Sequence, residues 1–264
     1  MIAATGSALA QGAWWSARAR DWADLQEGQC RRLFEAALDA VRAGPGLALL
    51  DAGCGSGMAC GLAAARGAAV SGLDAAEALI AIAKERVPGG EFRVGELEEL
   101  PYADQSFDVV CGFNAFQYAA RPEQALREGG RVARPGGTVV VATWGRAVDC
   151  EAARYLAALR GLIPPPPPDA PGPVALSDDG RLEALAEEAG LEPLEIRTVE
   201  CLWSYPDLET ALKGLLSAGP AVRAIQTSGE ESVRAAVTEA IRPFRCVSGA
   251  YCLENQFRYL MARA

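Results

Sequence analysis

The chain has 264 residues, half of them apolar, with a formal net charge of −9 and a pI near 4.8, which suits one α/β domain with additions or a domain plus a small cap. That acidity repels nucleic-acid phosphate, and the nearest thing to a basic patch (Arg18, Arg20, Arg31 and Arg32) has acidic residues among and after it, as a solvated helix face would. With no histidine, the chain by itself excludes a Ser-His-Asp triad, a His–carboxylate dyad and His-ligated zinc, leaving acid–base chemistry to Asp, Glu, Tyr, Lys or Cys.

Residues 1–13 are small and polar-poor and are expected to fray. Ala8-Leu9-Ala10 imitates a cleavage site, but no basic segment or long apolar run supports a signal peptide. From Ser16 to Val41 the pattern is helical: Leu33, Phe34, Ala37, Leu38 and Val41 recur at helical spacing, and Gly44-Pro45-Gly46 stops the run. Strands and helices then alternate. Leu47–Leu50 predicts a buried strand, followed by a glycine-rich turn and a helix to about Arg66, stopped by Gly67. Val70–Leu73 is the second strand, Ala76–Arg86 the second helix and Phe92–Val94 the third strand. Phe107–Phe113 is a near-continuous apolar run, typical of a parallel strand covered on both faces. Pro122–Val132 predicts a helix and Thr138–Thr143 the next buried strand. Such alternation implies right-handed βαβ units and a doubly wound sheet.

Ile163–Pro173 is proline-rich and predicts a stiff extended loop. Leu182, Leu185, Ala186 and Ala189 form a helical stripe ended by Gly190, and Leu194–Trp203 predicts a strand. Two helical stripes occupy residues 207–244, and Tyr251–Met261 alternates apolar with polar residues, as a closing strand does. The eight cysteines include no Cys-x-x-Cys pair, so free, mostly buried thiols in a reducing cytosol are expected. No stretch approaches the ~18 apolar residues of a membrane span. A soluble cytoplasmic protein without a metal site is the expectation.

The strongest chemical signal is Leu49-Leu50-Asp51-Ala52-Gly53-Cys54-Gly55-Ser56-Gly57, which follows a buried strand and opens a helix. Glycines there let a ligand approach the backbone, and the helix N-terminus offers free N–H groups. The spacing is Gly-x-Gly-x-Gly, not the Gly-x-Gly-x-x-Gly of dinucleotide binders. Asp51 would repel a pyrophosphate but favours a ligand carrying an ammonium and a sulfonium, which points to S-adenosylmethionine over NAD. A turn that merely packs helix on strand is the alternative. Asp74 ends the second strand, 21 residues after Gly53, where an acid can take two ribose hydroxyls; with Glu77 it can instead form a capping box. Glu96 follows the third strand and can accept from an adenine amino group, or belong to an acidic surface loop.

Together these residues resemble the class I methyltransferases, especially the small-molecule branch that includes quinone and natural-product enzymes. The matching text runs Leu49–Gly57, Leu73-Asp74, Gly95–Val110 and Ala133–Thr138, within roughly residues 45–145. The resemblance implies a Rossmann-like seven-stranded sheet ordered 3-2-1-4-5-7-6 with the last strand antiparallel. It also implies that Gly53, Gly55 and Gly57 contact the methionine part of S-adenosylmethionine, Asp74 the ribose, and Glu96 with Leu97 the adenine. Asp51, Cys54, Ala75 and Asn114 complete the candidate cofactor set, and Trp22 is the first choice among the aromatics.

The chain departs from the family pattern in two places. Glu96 stands where relatives often have Asp. Where many relatives place histidines after the fourth strand, this chain has Asn114-Ala115-Phe116-Gln117-Tyr118. Gln117 and Tyr118 can position a substrate but are poor bases, and core packing is an equal alternative for Phe116 and Tyr118. Trp14, Trp15, Trp22, Trp144, Trp203 and Tyr205 cluster where a lid would sit and can hold an apolar acceptor or favour a sulfonium. The expected organisation is an N-terminal helical lid over 1–43 and a core over 44–264 with a helical insertion at about 206–247. The expected activity is metal-free methyl transfer to a largely apolar small molecule by in-line displacement. The competing expectations are a non-methylating protein of the same fold and, less favoured, an NAD-dependent oxidoreductase.

Overall fold

The computed structural model describes residues 6–164, 174 and 176–264. The N-terminal segment comprises α1 (Ala8–Ser16), α2 (Ala19–Asp21), a π-helical turn (Trp22–Gln26), a 3-10 turn (Glu27–Cys30) and α3 (Arg31–Ala40). Then come β1 (Ala48–Ala52), α4 (Met58–Ala65), β2 (Ala69–Asp74), α5 (Glu77–Arg86), β3 (Glu91–Val94), β4 (Phe107–Phe113), α6 (Pro122–Val132) and β5 (Ala133–Trp144). The remainder is α7 (Ala153–Arg160), α8 (Arg181–Glu188), β6 (Glu192–Tyr205), α9 (Leu208–Leu215), α10 (Gly219–Ser228), α11 (Glu230–Ile241) and β7 (Tyr251–Arg263).

The strands form one sheet ordered β3-β2-β1-β4-β5-β7-β6, and β7 runs antiparallel to both its neighbours. This is the order that the resemblance to the class I methyltransferases implies. The central strands are largely apolar, Asp51 and Asp108 excepted, because helices cover both faces, and successive strand residues point to opposite sides. Leu49, Val109, Cys111 and Val140 enter one core with α3 and α4. Leu50, Val110, Val139 and Val141 enter the other with α6 and α8. Charge on either set would be buried without a partner, so these apolar runs follow from the topology.

The structure corrects several local expectations. Residues 8–13 do not fray: they lie in α1, whose Ala8 N–H donates to Glu96 Oε2 at 2.8 Å and which packs on α5 and α10. Ser16–Val41 is not one helix but the broken series above, because Trp22 to Cys30 turn their side chains toward the sheet end. Residues 207–244 hold three helices rather than two, since Gly219-Pro220 and Gly229 each restart the chain. α7 went unrecognised, although Ala152, Tyr155, Leu156 and Leu159 have helical spacing. Apart from Ile163 and Pro164, the proline-rich stretch lies outside the described residues. Among the described residues no helix is long and apolar enough to cross a membrane, and no group of three His, Cys, Asp or Glu side chains is placed to hold a metal. All eight cysteines are free thiols.

Candidate active site

The site begins where β1 ends. The chain turns through Gly53, Gly55 and Gly57, all with positive φ. Two of these glycines are forced by contact as well as by φ: a Cβ on Gly53 would lie 2.4 Å from the Ala115 Cβ, and one on Gly57 2.9 Å from the Ala83 Cβ. The N–H groups of Gly53 and Cys54 donate to the Leu73 carbonyl at 2.7 and 3.0 Å, which ties the loop to β2. The next two N–H groups turn to carboxylates. Gly55 N–H donates to Asp74 Oδ2 and Ser56 N–H to Glu27 Oε1, each at 2.9 Å.

Asp74 is not part of a capping box. Its Oδ1 accepts from the Ala76 N–H at 2.9 Å, Ala76 is the N-cap residue that precedes α5, and no side chain caps that helix. The carboxylate instead clamps the glycine loop to the β2–α5 turn and keeps lone pairs for a ligand. Glu27 carries the other clamp. Only 5% exposed, it accepts from the Ser56 N–H, the Ser56 hydroxyl and the Arg86 guanidinium. No sequence motif marked Glu27, because it lies 29 residues from Ser56 and 59 from Arg86 in the chain.

Asp51 stands beneath the loop, 2% exposed, and its Oδ1 has no hydrogen-bond partner. Burial, then the charges of Glu27 and Asp74, push its carboxyl up to about 8. Burial also raises Glu27 against the opposing pull of Ser56 and Arg86, and raises Asp74 against the N–H groups of Ala76, Gly55 and Ala75. Crowded acids with an orphan oxygen beside a glycine cradle suit a cationic ligand.

A cavity with about 1150 Å³ of atom-free space, part of it open to solvent, runs from this loop toward the ends of β4, β5 and β6. Trp22, Gly53, Gly55, Asp74 and Ala75 line one wall; Glu96, Leu97, Asn114 and Tyr118 continue it. Asn114 adopts the left-handed conformation, φ 52°, which is uncommon outside glycine. Asp51, Cys54, Gly57 and Gln117 stand behind the wall rather than on it. Cys54 and Gly57 pack helix and strand, as their closest neighbours show. Gln117 is fully buried and donates to Asn114 Oδ1 at 3.3 Å, because the tight turn over Phe116–Tyr118 sends neighbouring side chains different ways. It does not reach the cavity as a substrate-positioning residue must; Tyr118 does.

The far end of the cavity is aromatic. Trp144 and Trp203 meet edge to face with centroids 5.3 Å apart, and Phe257 backs Trp144 at 4.7 Å. Trp15 joins Trp22 at 4.7 Å and Tyr118 at 5.7 Å. Tyr205 lies behind this wall, its hydroxyl donating to Gln26 Oε1 at 2.7 Å, and Trp14 lies outside it, under Arg223. Phe34, expected only on a helical stripe, also lines the basin, as do Tyr155 and Leu156, which the sequence did not single out. Tyr155 spends its proton on the Leu215 carbonyl at 2.7 Å. Burial pushes Tyr118, Tyr155 and the Cys30 thiol up, so the basin presents neutral side chains at physiological pH.

Comparison with known proteins agrees with this geometry. Residues 50–141 match the family of methyltransferase domains. The chain is 38% identical over 118 residues to a demethylmenaquinone methyltransferase of Renibacterium salmoninarum, covering 45% of this chain and 50% of that one. It is also 38% identical over 113 residues to a malonyl-[acyl-carrier protein] O-methyltransferase of Erwinia pyrifoliae, covering 43% of each. The chain therefore spans about half the length, or less, of these curated relatives. The fold resembles that of the YcgJ protein from Bacillus subtilis, with a TM-score of 0.60 at 18% identity, covering 87% of this chain and 97% of that one. In its sheet order, its glycine loop and the domain matched over residues 50–141, the chain is similar to the class I S-adenosylmethionine-dependent methyltransferases.

Proposed function

We propose that the protein binds S-adenosylmethionine and transfers its methyl group to a largely apolar small molecule. The observation that carries this is one continuous cavity with an acidic glycine cradle at one end and an aromatic basin at the other. Gly53 and Gly55 would hold the methionine part, Asp74 the ribose, and Glu96 with Leu97 the adenine; Trp22 and Asn114 would close the sides. Asp51, behind the glycine loop, would favour a ligand ammonium through its charge and not by contact. When bound, the cofactor supplies an electrophilic methyl on a sulfonium.

The residues of this chain contribute position and dryness. α1, the Trp22–Cys30 turns and α10 wall the cavity, in keeping with a lid formed by residues 1–43 and 206–247. Correctly held reactants reach effective molarities of ~10⁵–10⁸ M, so proximity can supply most of the acceleration. Among the described residues, the basin's Tyr118, Tyr155 and Cys30 are held neutral by burial, and the Tyr155 hydroxyl is engaged as a donor to the Leu215 carbonyl, so none is poised as a general base. An acceptor that attacks without a strong base fits this wall. Net acidity argues for a small molecule over nucleic acid, and the free thiols favour the cytoplasm.

Calorimetry with S-adenosylhomocysteine tests the cofactor half, with micromolar or tighter binding expected. In the same titration Asp74→Ala is expected to bind 10- to 100-fold more weakly, since charge-assisted hydrogen bonds are worth roughly 1.5–3 kcal/mol. A folded Asp74→Ala protein with the parent's affinity would make Asp74 a turn residue only. Turnover of labelled methyl groups on a panel of apolar phenols, enols and amines tests transfer, and activity on RNA or protein alone would overturn the acceptor assignment.

A further inference from the structure

Of the nine residues of α1 only Gly12 is buried, and Leu9 is 82% exposed. A helix with so little apolar burial is held by a few contacts. Its C-terminal end is anchored, because Ala19 and Ala23 beyond it are buried with Ala76, Leu79 and Ile82, and Trp15 packs on that cluster. Its N-terminal end is held by Glu96. The Ala8 N–H donates to Glu96 Oε2 at 2.8 Å, while Glu96 Oε1 accepts from the Leu97 N–H at 2.8 Å. Both approaches are tight. A Cβ on Gly6 would lie 2.0 Å from Glu96 Oε2, and one on Gly12 2.4 Å from the Ala75 carbonyl oxygen. Ser7, Ala8 and Gln11 line the same cavity as Ala75, Glu96 and Leu97. α1 therefore roofs the nucleoside end, and the carboxylate assigned to the adenine also holds the first N–H of that roof.

We propose that Glu96 is a positioning latch as well as an adenine ligand: its carboxylate ties α1 to the bound nucleoside, so that α1 must be released for the cofactor to leave. This rests on the methyl-transfer reading of the cavity. An ionised carboxylate offers about four lone-pair sites. The Leu97 and Glu98 N–H groups address Oε1 and Ala8 addresses Oε2, which leaves Oε2 a site for an amino group. The positive end of the α1 dipole favours the same charge. The latch also accounts for a departure in the sequence, a glutamate where the methyltransferases it resembles often have aspartate. Aspartate is shorter by one C–C bond, roughly 1.5 Å. It can still meet the loop N–H two residues on, as in an Asx turn, but it withdraws from Ala8. α1 cannot follow it, because Gly12 already rests on the Ala75 carbonyl.

The test compares the full-length parent with Glu96→Asp and Gly6→Ala, which weaken the latch from opposite sides; Gly6 does not line the cavity. Release of S-adenosylhomocysteine is followed by stopped-flow tryptophan fluorescence, since Trp15 and Trp22 line the cavity. Both variants are expected to release it about 10- to 100-fold faster, the worth of one charge-assisted hydrogen bond, with no fall in the association rate. Loss of an adenine contact alone would leave Gly6→Ala at the parent's rate. Should a variant fold poorly, hydrogen exchange of the parent carries the test. Saturating S-adenosylhomocysteine is expected to slow exchange over Ala8–Ser16 roughly tenfold or more. The parent's release rate in either variant, or α1 exchange that the ligand leaves unchanged, overturns the latch. Absence of S-adenosylhomocysteine binding by the parent would instead overturn the underlying methyltransferase reading.

Discussion

Replacing Arg86 with methionine is expected to destabilise the protein by about 3–5 kcal/mol, the usual cost of stranding one partner of a buried ion pair. Glu27 is 5% exposed and its side chain meets the Arg86 guanidinium, itself 28% exposed. The same carboxylate holds the Ser56 N–H and hydroxyl, and Arg86 also donates to the Ser56 hydroxyl at 2.9 Å. Without the guanidinium, the carboxylate remains where burial already raises it toward its neutral form. For a chain of this size the loss corresponds to a fall in Tm on the order of 10 °C. The Glu27→Gln/Arg86→Met double variant is expected to recover part of the loss, because an amide can keep the Ser56 bonds without a buried charge. Thermal and urea unfolding of the parent, Glu27→Gln, Arg86→Met and the double variant give the coupling directly. A loss below about 1 kcal/mol in Arg86→Met would show that Glu27 is not charged in the folded protein.

The stability of the ligand-free protein is expected to fall as pH rises from about 4 to about 8. Asp51 titrates near 3.8 when ordinarily solvated and near 8 when folded. Below the first value the carboxyl is protonated in both states and costs nothing. Between the two, the unfolded chain releases the proton and the folded one holds it, so unfolding gains up to about 1.4 kcal/mol per pH unit from this group. Glu27 and Asp74, also raised, act in the same direction. Cys60, whose sulfur is 4.0 Å from Asp51 Oδ2, stays neutral because burial pushes its thiol up.

Asp51→Asn is expected to flatten most of this slope and to melt higher than the parent at pH 8. Binding a ligand with an ammonium group should favour the charged carboxylate and release a proton. Affinity for S-adenosylhomocysteine is therefore expected to rise between pH 6 and pH 8 in the parent and less in Asp51→Asn. Melting across pH and calorimetry in buffers of different ionisation enthalpy check both effects. Stability that rises from pH 5 to pH 8 would contradict the assignment.

The core of the fold was legible because its signals are local. Phe107–Phe113 and Pro122–Val132 occur where the sequence places them, since burial on both faces and a proline-led amphipathic stripe leave a trace in adjacent residues. α7 leaves only a short trace of the same kind, a single stripe of Ala152, Tyr155, Leu156 and Leu159, and it carries Tyr155 and Leu156 of the basin. The stretch over residues 207–244 was harder, because its second interruption is a single residue, Gly229, whose helix-breaking effect rests on a positive φ. In the site, Gly53, Gly55, Asp74 and Glu96 could be found because each sits at a fixed offset from a strand end. The offset does not say which way a side chain points. Asp51, Cys54, Gly57 and Gln117 share those motifs yet stand behind the cavity wall.

By itself the sequence determined the alternation of strands and helices, and so the sheet. It also determined the glycine turn and the acids at successive strand ends, because periodicity and backbone conformation depend on a few neighbouring residues. Only the tertiary structure decided that Glu27 would clamp Ser56 and that three acids would crowd one loop. Those facts depend on desolvation and on partners 29 to 59 residues apart in the Glu27 cluster. A buried charge or an unmatched donor is defined by everything packed around it, and no local spacing encodes that surrounding.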